Sequence, residues 1–123
     1  MKKIKAIIKP FRLEDVKNAL AKLQIEGMTL TVVNGCGHQK GHTEIYQRND
    51  YTIDFLPQRK VELVAPDAHT EAALNGIVHA ARTGKLGAGK ISITTIDDVL
   101  RIRSGERGEN GLCPSGGDAY NGA

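Results

Sequence analysis

Residues 84–90 read GKLGAGK, and the reading of this stretch decides the fold. Gly84, four residues, then Gly89 and Lys90 satisfy the phosphate-loop spacing GxxxxGK. In its nucleotide-hydrolysing form that motif follows a strand, opens a helix and continues with Ser or Thr to hold a metal ion. Here residue 91 is Ile. Upstream, HTEAALNGIVHAAR (69–82) puts Ala73, Leu74, Ile77, Val78 and Ala81 on one helical face. Downstream, ISITTI (91–96) has the β-branched character of a strand. The stretch is therefore a turn from helix to strand, and a doubly wound fold built on a phosphate loop is excluded. One property of the motif survives, because successive backbone N–H groups in such a glycine turn form a nest for anions. A helix cap followed by a tight loop is the plainer alternative.

Working outward, RKVELVA (59–65) reads as a strand, so 59–96 forms one β-α-β half. The N-terminal third repeats the pattern. KKIKAIIK (2–9) is a strand ended by Pro10. Leu13, Val16, Ala19, Leu20 and Leu23 then make a helical stripe over 13–25, with Glu14 and Asp15 in the first turn and Gly27 as its stop. MTLTVVNGC (28–36) is the second strand, and VLRIR (99–103) reads as a short C-terminal strand. Two β-α-β halves predict an α+β, ferredoxin-like βαββαβ sandwich with both helices on one face of an antiparallel sheet. Small aliphatic side chains on the other face, with no third helix to cover them, predict packing against further copies of the chain.

Two segments lie outside this frame. Residues 37–55 are polar and without period, long for a loop in a compact domain and hence expected to be functional. From Ser104 to the end the chain holds six glycines and little apolar content, which predicts disorder.

The composition supports one soluble domain. A chain of 123 residues buries roughly two-thirds of its unfolded surface, enough for a core. Aromatics make up 4% with no Trp, so that core is aliphatic. A net charge of +3 suits small anions at least as well as nucleic acid. Lys5 and Lys9 interrupt the N-terminal apolar run before it reaches signal-peptide length. Nothing approaches the roughly 18 apolar residues of a membrane span. Cys36 and Cys113 are too far apart for a disulfide framework, so a reducing cytoplasm is expected.

A second glycine cluster, GCGHQKG (35–41), closes the second strand. In a ferredoxin-like sheet this turn and the one at 84–90 lie apart in one subunit, but can meet across a subunit boundary. LRIR (100–103) adds Arg101 and Arg103 on one face of a strand. Two glycine turns, Lys90 and this arginine pair make a candidate polyphosphate clamp.

With these residues in view, the chain resembles the PII signal-transduction proteins over 1 to about 112, leaving 113–123 as a flexible tail. The matching stretches are KKIKAIIKPF, GMTLTVV, GHQKGHTEIY, DYTIDFLP, TGKLGAGKISI and VLRIRSGE, in that order. The resemblance implies a homotrimer that binds ATP or ADP in clefts between subunits. It makes 37–55 the T-loop and 82–90 the B-loop. It implies that Thr29 and Val64 flank adenine, that Gly37, Gly87, Gly89 and Lys90 hold phosphates, and that Arg101 and Arg103 reach in from a neighbouring subunit. Gln39 is where the family holds Mg2+ bridging ATP to 2-oxoglutarate, with Lys40 and Gly41 beside it, and Tyr51 matches a tyrosine that some members have uridylylated. The T-loop addresses a target transporter, enzyme or regulator.

The departures cluster at the effector pocket. Cys36 stands for the usual Phe, His38 for an Arg that reaches the terminal phosphate, Gln58 for a Lys that pairs with 2-oxoglutarate, and Ala88 for an Asp. A neutral His lacks a fixed charge, which predicts that ADP or AMP competes well with ATP. Loss of the ammonium at 58 predicts weak 2-oxoglutarate binding, with a smaller anion such as bicarbonate as a substitute.

Three other functional classes fit the sequence less well. Dedicated catalysis lacks a base and a metal ligand. RNA-recognition modules share the element order but stack bases on strand aromatics, which KIKAIIK and KVELVA lack. A metal- or redox-responsive sensor would use Cys36, His38 and His42, or Cys113, at a spacing that matches no established zinc pattern.

Overall fold

The computed structural model describes residues 1–25, 27–36, 55–84 and 88–112. Strand β1 (Lys2–Ile8) runs through a 3-10 turn (Pro10–Arg12) into helix α1 (Leu13–Lys22). Strand β2 (Met28–Cys36) pairs with β3 (Phe55–Ala65), which leads through Pro66 into α2 (Asp67–Ala81). Strand β4 (Gly89–Thr95) completes an antiparallel sheet of order β2-β3-β1-β4. This is the expected ferredoxin-like α+β sandwich.

Strand alternation decides which side is core. Ile4, Ala6 and Ile8 on β1 and Val61, Leu63 and Ala65 on β3 are buried beneath Val16 and Leu20 of α1 and Ala73, Ile77 and Ala81 of α2. The helices can approach closely because Gly76 carries no side chain and faces Leu23 and Ala19.

Several boundaries differ from expectation, each for a local reason. Helix α1 stops at Lys22, five residues before Gly27. Gln24 turns left-handed at φ 62°, the Ile25 N–H donates to the Leu20 carbonyl (2.9 Å), and the Gln24 N–H donates to Ala21 (2.9 Å). That is a Schellman cap, anchored by burial of Ile25. Strand β3 begins at Phe55 rather than 59, because 55–58 pair with 33–36 of β2 beyond the last β1 partner, Arg59. Over this ribbon the other edge of β3 has left β1 behind, which is where a strand tolerates Pro57.

The expected strand at 99–103 does not form. Only Leu100 bridges to Arg107, and the chain turns at 102–104 with Gly105 at φ 76°. Residues 104–112 are ordered instead of disordered, ending in a one-turn helix, α3 (Glu109–Leu112). A clasp at Asp98 explains this. Its carboxylate accepts from the N–H of Val99 (2.8 Å) and Gly108 (2.9 Å) and from Arg107 Nε (2.8 Å).

The face away from the helices is also more polar than expected. By register it carries Lys3, Lys5, Lys60, Glu62, Thr29, Thr31, Ser92 and Lys90, with Ile7, Val33, Leu56 and Val64 as its aliphatics among the described residues.

Candidate functional site

Strand alternation puts Thr29 of β2 and Val64 of β3 on this open face, with Thr29 opposite Glu62 and Val64 opposite Lys3. Together with Gly27 and Leu112 they line a cavity of about 300 Å³. The Lys3 ammonium pairs with Glu62 at 3.0 Å and Lys60 approaches the same carboxylate at 3.6 Å. Lys3, then Lys60 and Lys5, hold the Glu62 carboxyl below its ordinary range. Four lysines against one acid leave the face cationic, so an anionic ligand is favoured there.

Arg101 joins this end of the sheet through α3. Its Nη2 donates to the Leu112 carbonyl at 3.4 Å, and Leu112 is a wall of the cavity. The Arg101 Nε is buried and finds no partner among the described residues. Arg103 is exposed on the adjoining turn, so the two arginines do not share a strand face.

Gly89 and Lys90 stand at the opposite end. Gly89 pairs with Ile8 and Val64 with Lys3, five residues apart along β1, or about 17 Å. Gly89 has φ 120°, and a Cβ there would run into the Ile7 carbonyl oxygen, so β4 can begin only with glycine. Lys90 follows on the open face, opposite Ile7. On the helix side, Ala88 and Gly89 border an apolar cavity of about 270 Å³ with Ile8, Ile77 and Ile91.

Gln58 lies at the root of the β2–β3 ribbon, against Gly35. Cys36 is exposed and forms no disulfide among the described residues. Gly37, His38, Gln39, Lys40, Gly41, His42, Tyr51, Gly87 and Cys113 lie outside the described residues. Among the described residues, no three His, Cys, Asp or Glu side chains come together as a metal site, and no helix is long and apolar enough to cross a membrane.

The sequence and the fold have counterparts among known proteins. The family model for nitrogen regulatory protein P-II matches residues 1–106. The chain is 51% identical to the nitrogen regulatory protein P-II of Rhodospirillum rubrum over 112 residues, covering 91% of this chain and all of that one. It is 53% identical to nitrogen regulatory protein P-II 1 of Escherichia coli (strain K12) over 106 residues, covering 86% and 95%. Among solved structures, Arabidopsis thaliana PII bound to citrate superimposes with a TM-score of 0.72 at 36% identity, covering 89% of this chain and 90% of that one.

The chain belongs to the PII family.

As a PII protein it is a signalling regulator of nitrogen metabolism. Neither the PII relatives nor the fold supports the metal- or redox-responsive reading. Sequence reasoning missed Leu112, Lys3 and Glu62 as cavity walls in this PII chain. Their signal was weak, since Lys3 and Glu62 read as a solvated strand face and Leu112 is a lone apolar residue in a glycine-rich tail. The Asp98 clasp was missed as well, since residues from Ser104 on were expected to be disordered; the Ser104-Gly105 pair is the local turn signal that could have pointed to it.

Proposed function

We propose that this PII protein binds adenine nucleotides between the subunits of a homotrimer and regulates a target transporter, enzyme or regulator through residues 37–55. The observation that carries the reading is the division of the site. Thr29, Val64 and Arg101 gather at one end of the sheet, and Gly89 and Lys90 sit about 17 Å away along it. The ribose between a base and its phosphates does not bridge that span. A complete site therefore takes the base-side wall and Arg101 from one protomer and the glycine turn with Lys90 from the next.

The cationic open face suits a polyphosphate. The Arabidopsis relative with bound citrate supports anion binding in this family. With His38 in place of a fixed guanidinium, ADP and AMP compete with ATP. With Gln58 in place of an ammonium, 2-oxoglutarate binds weakly and a smaller anion such as bicarbonate takes its role. The protein acts by changing shape with ligand rather than by catalysis, in the cytoplasm.

Calorimetric titration with ATP, ADP and AMP, each with and without 2-oxoglutarate or bicarbonate, tests this together with a light-scattering mass. One nucleotide per chain on a trimer is expected. A monomer, or no heat with any adenine nucleotide, overturns it.

A further inference from the structure

Arg101 and Leu112 meet at the edge of the cavity on the open face. The cavity between Thr29 and Val64 measures about 300 Å³ with the Leu112 side chain as one wall, the lower end of the roughly 300–1,000 Å³ of small-molecule sites. Leu112 is held there by its backbone. Gly111 is buried, and a Cβ on it would come within 2.7 Å of the Glu106 carbonyl and 2.9 Å of the Val99 carbonyl, so α3 is pressed against the Asp98-clasped turn. Across this strap the Arg101 Nη2 donates to the Leu112 carbonyl. At 3.4 Å to a neutral acceptor this bond is weak, and the neighbouring Nε is buried without a partner among the described residues. A guanidinium in that condition gains by exchanging a carbonyl for an anion, whose charge-assisted hydrogen bonds are roughly twice as strong.

We infer that Leu112 and α3 form an intramolecular strap over the nucleotide cavity, latched by Arg101, and that an anionic ligand releases the strap by taking Arg101 from the Leu112 carbonyl. The inference rests on the nucleotide reading above and adds a mechanism to it. The apparent affinity for nucleotide is lowered by the fraction of molecules in which the strap is closed.

The test is a pair of measurements on the full chain. ATP and ADP are titrated into the wild type and into Leu112→Ala, and hydrogen exchange at the Gly111 amide is followed with and without nucleotide. That amide donates to the Gly108 carbonyl at 3.0 Å within the strap. The strap predicts that Leu112→Ala binds about threefold more tightly or better, and that nucleotide accelerates exchange at Gly111 in the wild type. Wild-type binding with an unchanged or weaker Leu112→Ala makes Leu112 a passive wall and overturns the strap alone. Slower or unchanged Gly111 exchange on nucleotide addition overturns it equally, even if the variant folds poorly. Absence of nucleotide binding by both proteins overturns the functional reading and the strap with it.

Discussion

The carboxamide of Gln58 lies across Gly35, in the space a β-carbon at position 35 would occupy. The two residues sit on neighbouring strands of the ribbon that leads into residues 37–55, and Gln58 faces Val33 in register. A side chain laid flat on a glycine is held by shape and not by a charge partner. The Gln58 main-chain carbonyl, in turn, accepts from Arg59 Nη1 at 3.1 Å.

Replacing Gln58 by Lys is therefore expected to leave the ribbon intact and to place an ammonium at its root. If the second effector site is as proposed, Gln58→Lys raises 2-oxoglutarate affinity in the presence of Mg-ATP by about tenfold or more, the size of one recovered charge-assisted contact. Competition calorimetry reads this directly. Equal affinity in both proteins places the dicarboxylate elsewhere.

Gly35→Ala acts on the same pair from the other side. Because the atoms a methyl would meet belong to the flexible end of Gln58, the carboxamide swings out and stability falls by less than about 1 kcal/mol. Chemical denaturation gives the stability. The movement shows as a shift of the Gln58 side-chain amide resonances, which Gly35→Ser should reproduce.

Gly89→Ala is expected to be far more costly. At φ 120° the backbone is in a region that side chains avoid, and the obstacle is the Ile7 carbonyl of a paired strand, which cannot swing away. About 2 kcal/mol or more is expected, from strain of roughly 1–3 kcal/mol with the clash added. A urea midpoint within error of the wild type would show that β4 does not start there.

The legibility of the molecule followed the same distinction between local and distant causes. The helix stripes at 13–25 and 69–82 and the first four strands are local patterns, and these located real elements, whereas the strand expected at 99–103 did not form. Gly89 stood out in the sequence as part of a glycine turn; its close approach to the Ile7 carbonyl comes from a partner 82 positions away and has no local signal. Leu112 and Arg101 were out of reach as a pair, because only the Asp98 clasp brings the tail back over the sheet. The end of α1 failed on a local rule: a glycine at 27 looked like the stop, while the buried anchor Ile25 forced the left-handed residue to be Gln24.

That substitution pattern gives a stabilising change. Gln24 sits at the one non-glycine positive φ among the described residues, 62°, with both Schellman bonds formed. Gln24→Gly removes the left-handed penalty, which is about 1–2 kcal/mol, less what glycine loses in unfolded-state entropy. A net gain of about 0.5–1 kcal/mol is expected, visible as a higher urea midpoint, and Gln24→Ala should give none of it.

Acid should loosen the C-terminal clasp before it unfolds the sheet. The Asp98 carboxyl is held below its ordinary range by the Gly108 and Val99 N–H groups and by Arg107. A carboxylate whose folded pKa is depressed contributes stability that is present above its unfolded value, about 3.9, and lost as pH falls through the lower folded value. Asp67, lowered by the chain's amino terminus 2.9 Å away, and Glu62, lowered chiefly by Lys3, act in the same direction. Amide exchange at Gly108 and Val99 should therefore gain protection relative to the unfolded chain as pH rises from the depressed folded value through the ordinary Asp range of about 3.9, then level off. Asp98→Asn keeps the shape but cannot titrate, so its protection at these two amides should be lower at neutral pH and flat across that window. A variant that retained the wild-type pH dependence there would assign it to Asp67 and Glu62, and the clasp would no longer explain why residues 104–112 are ordered.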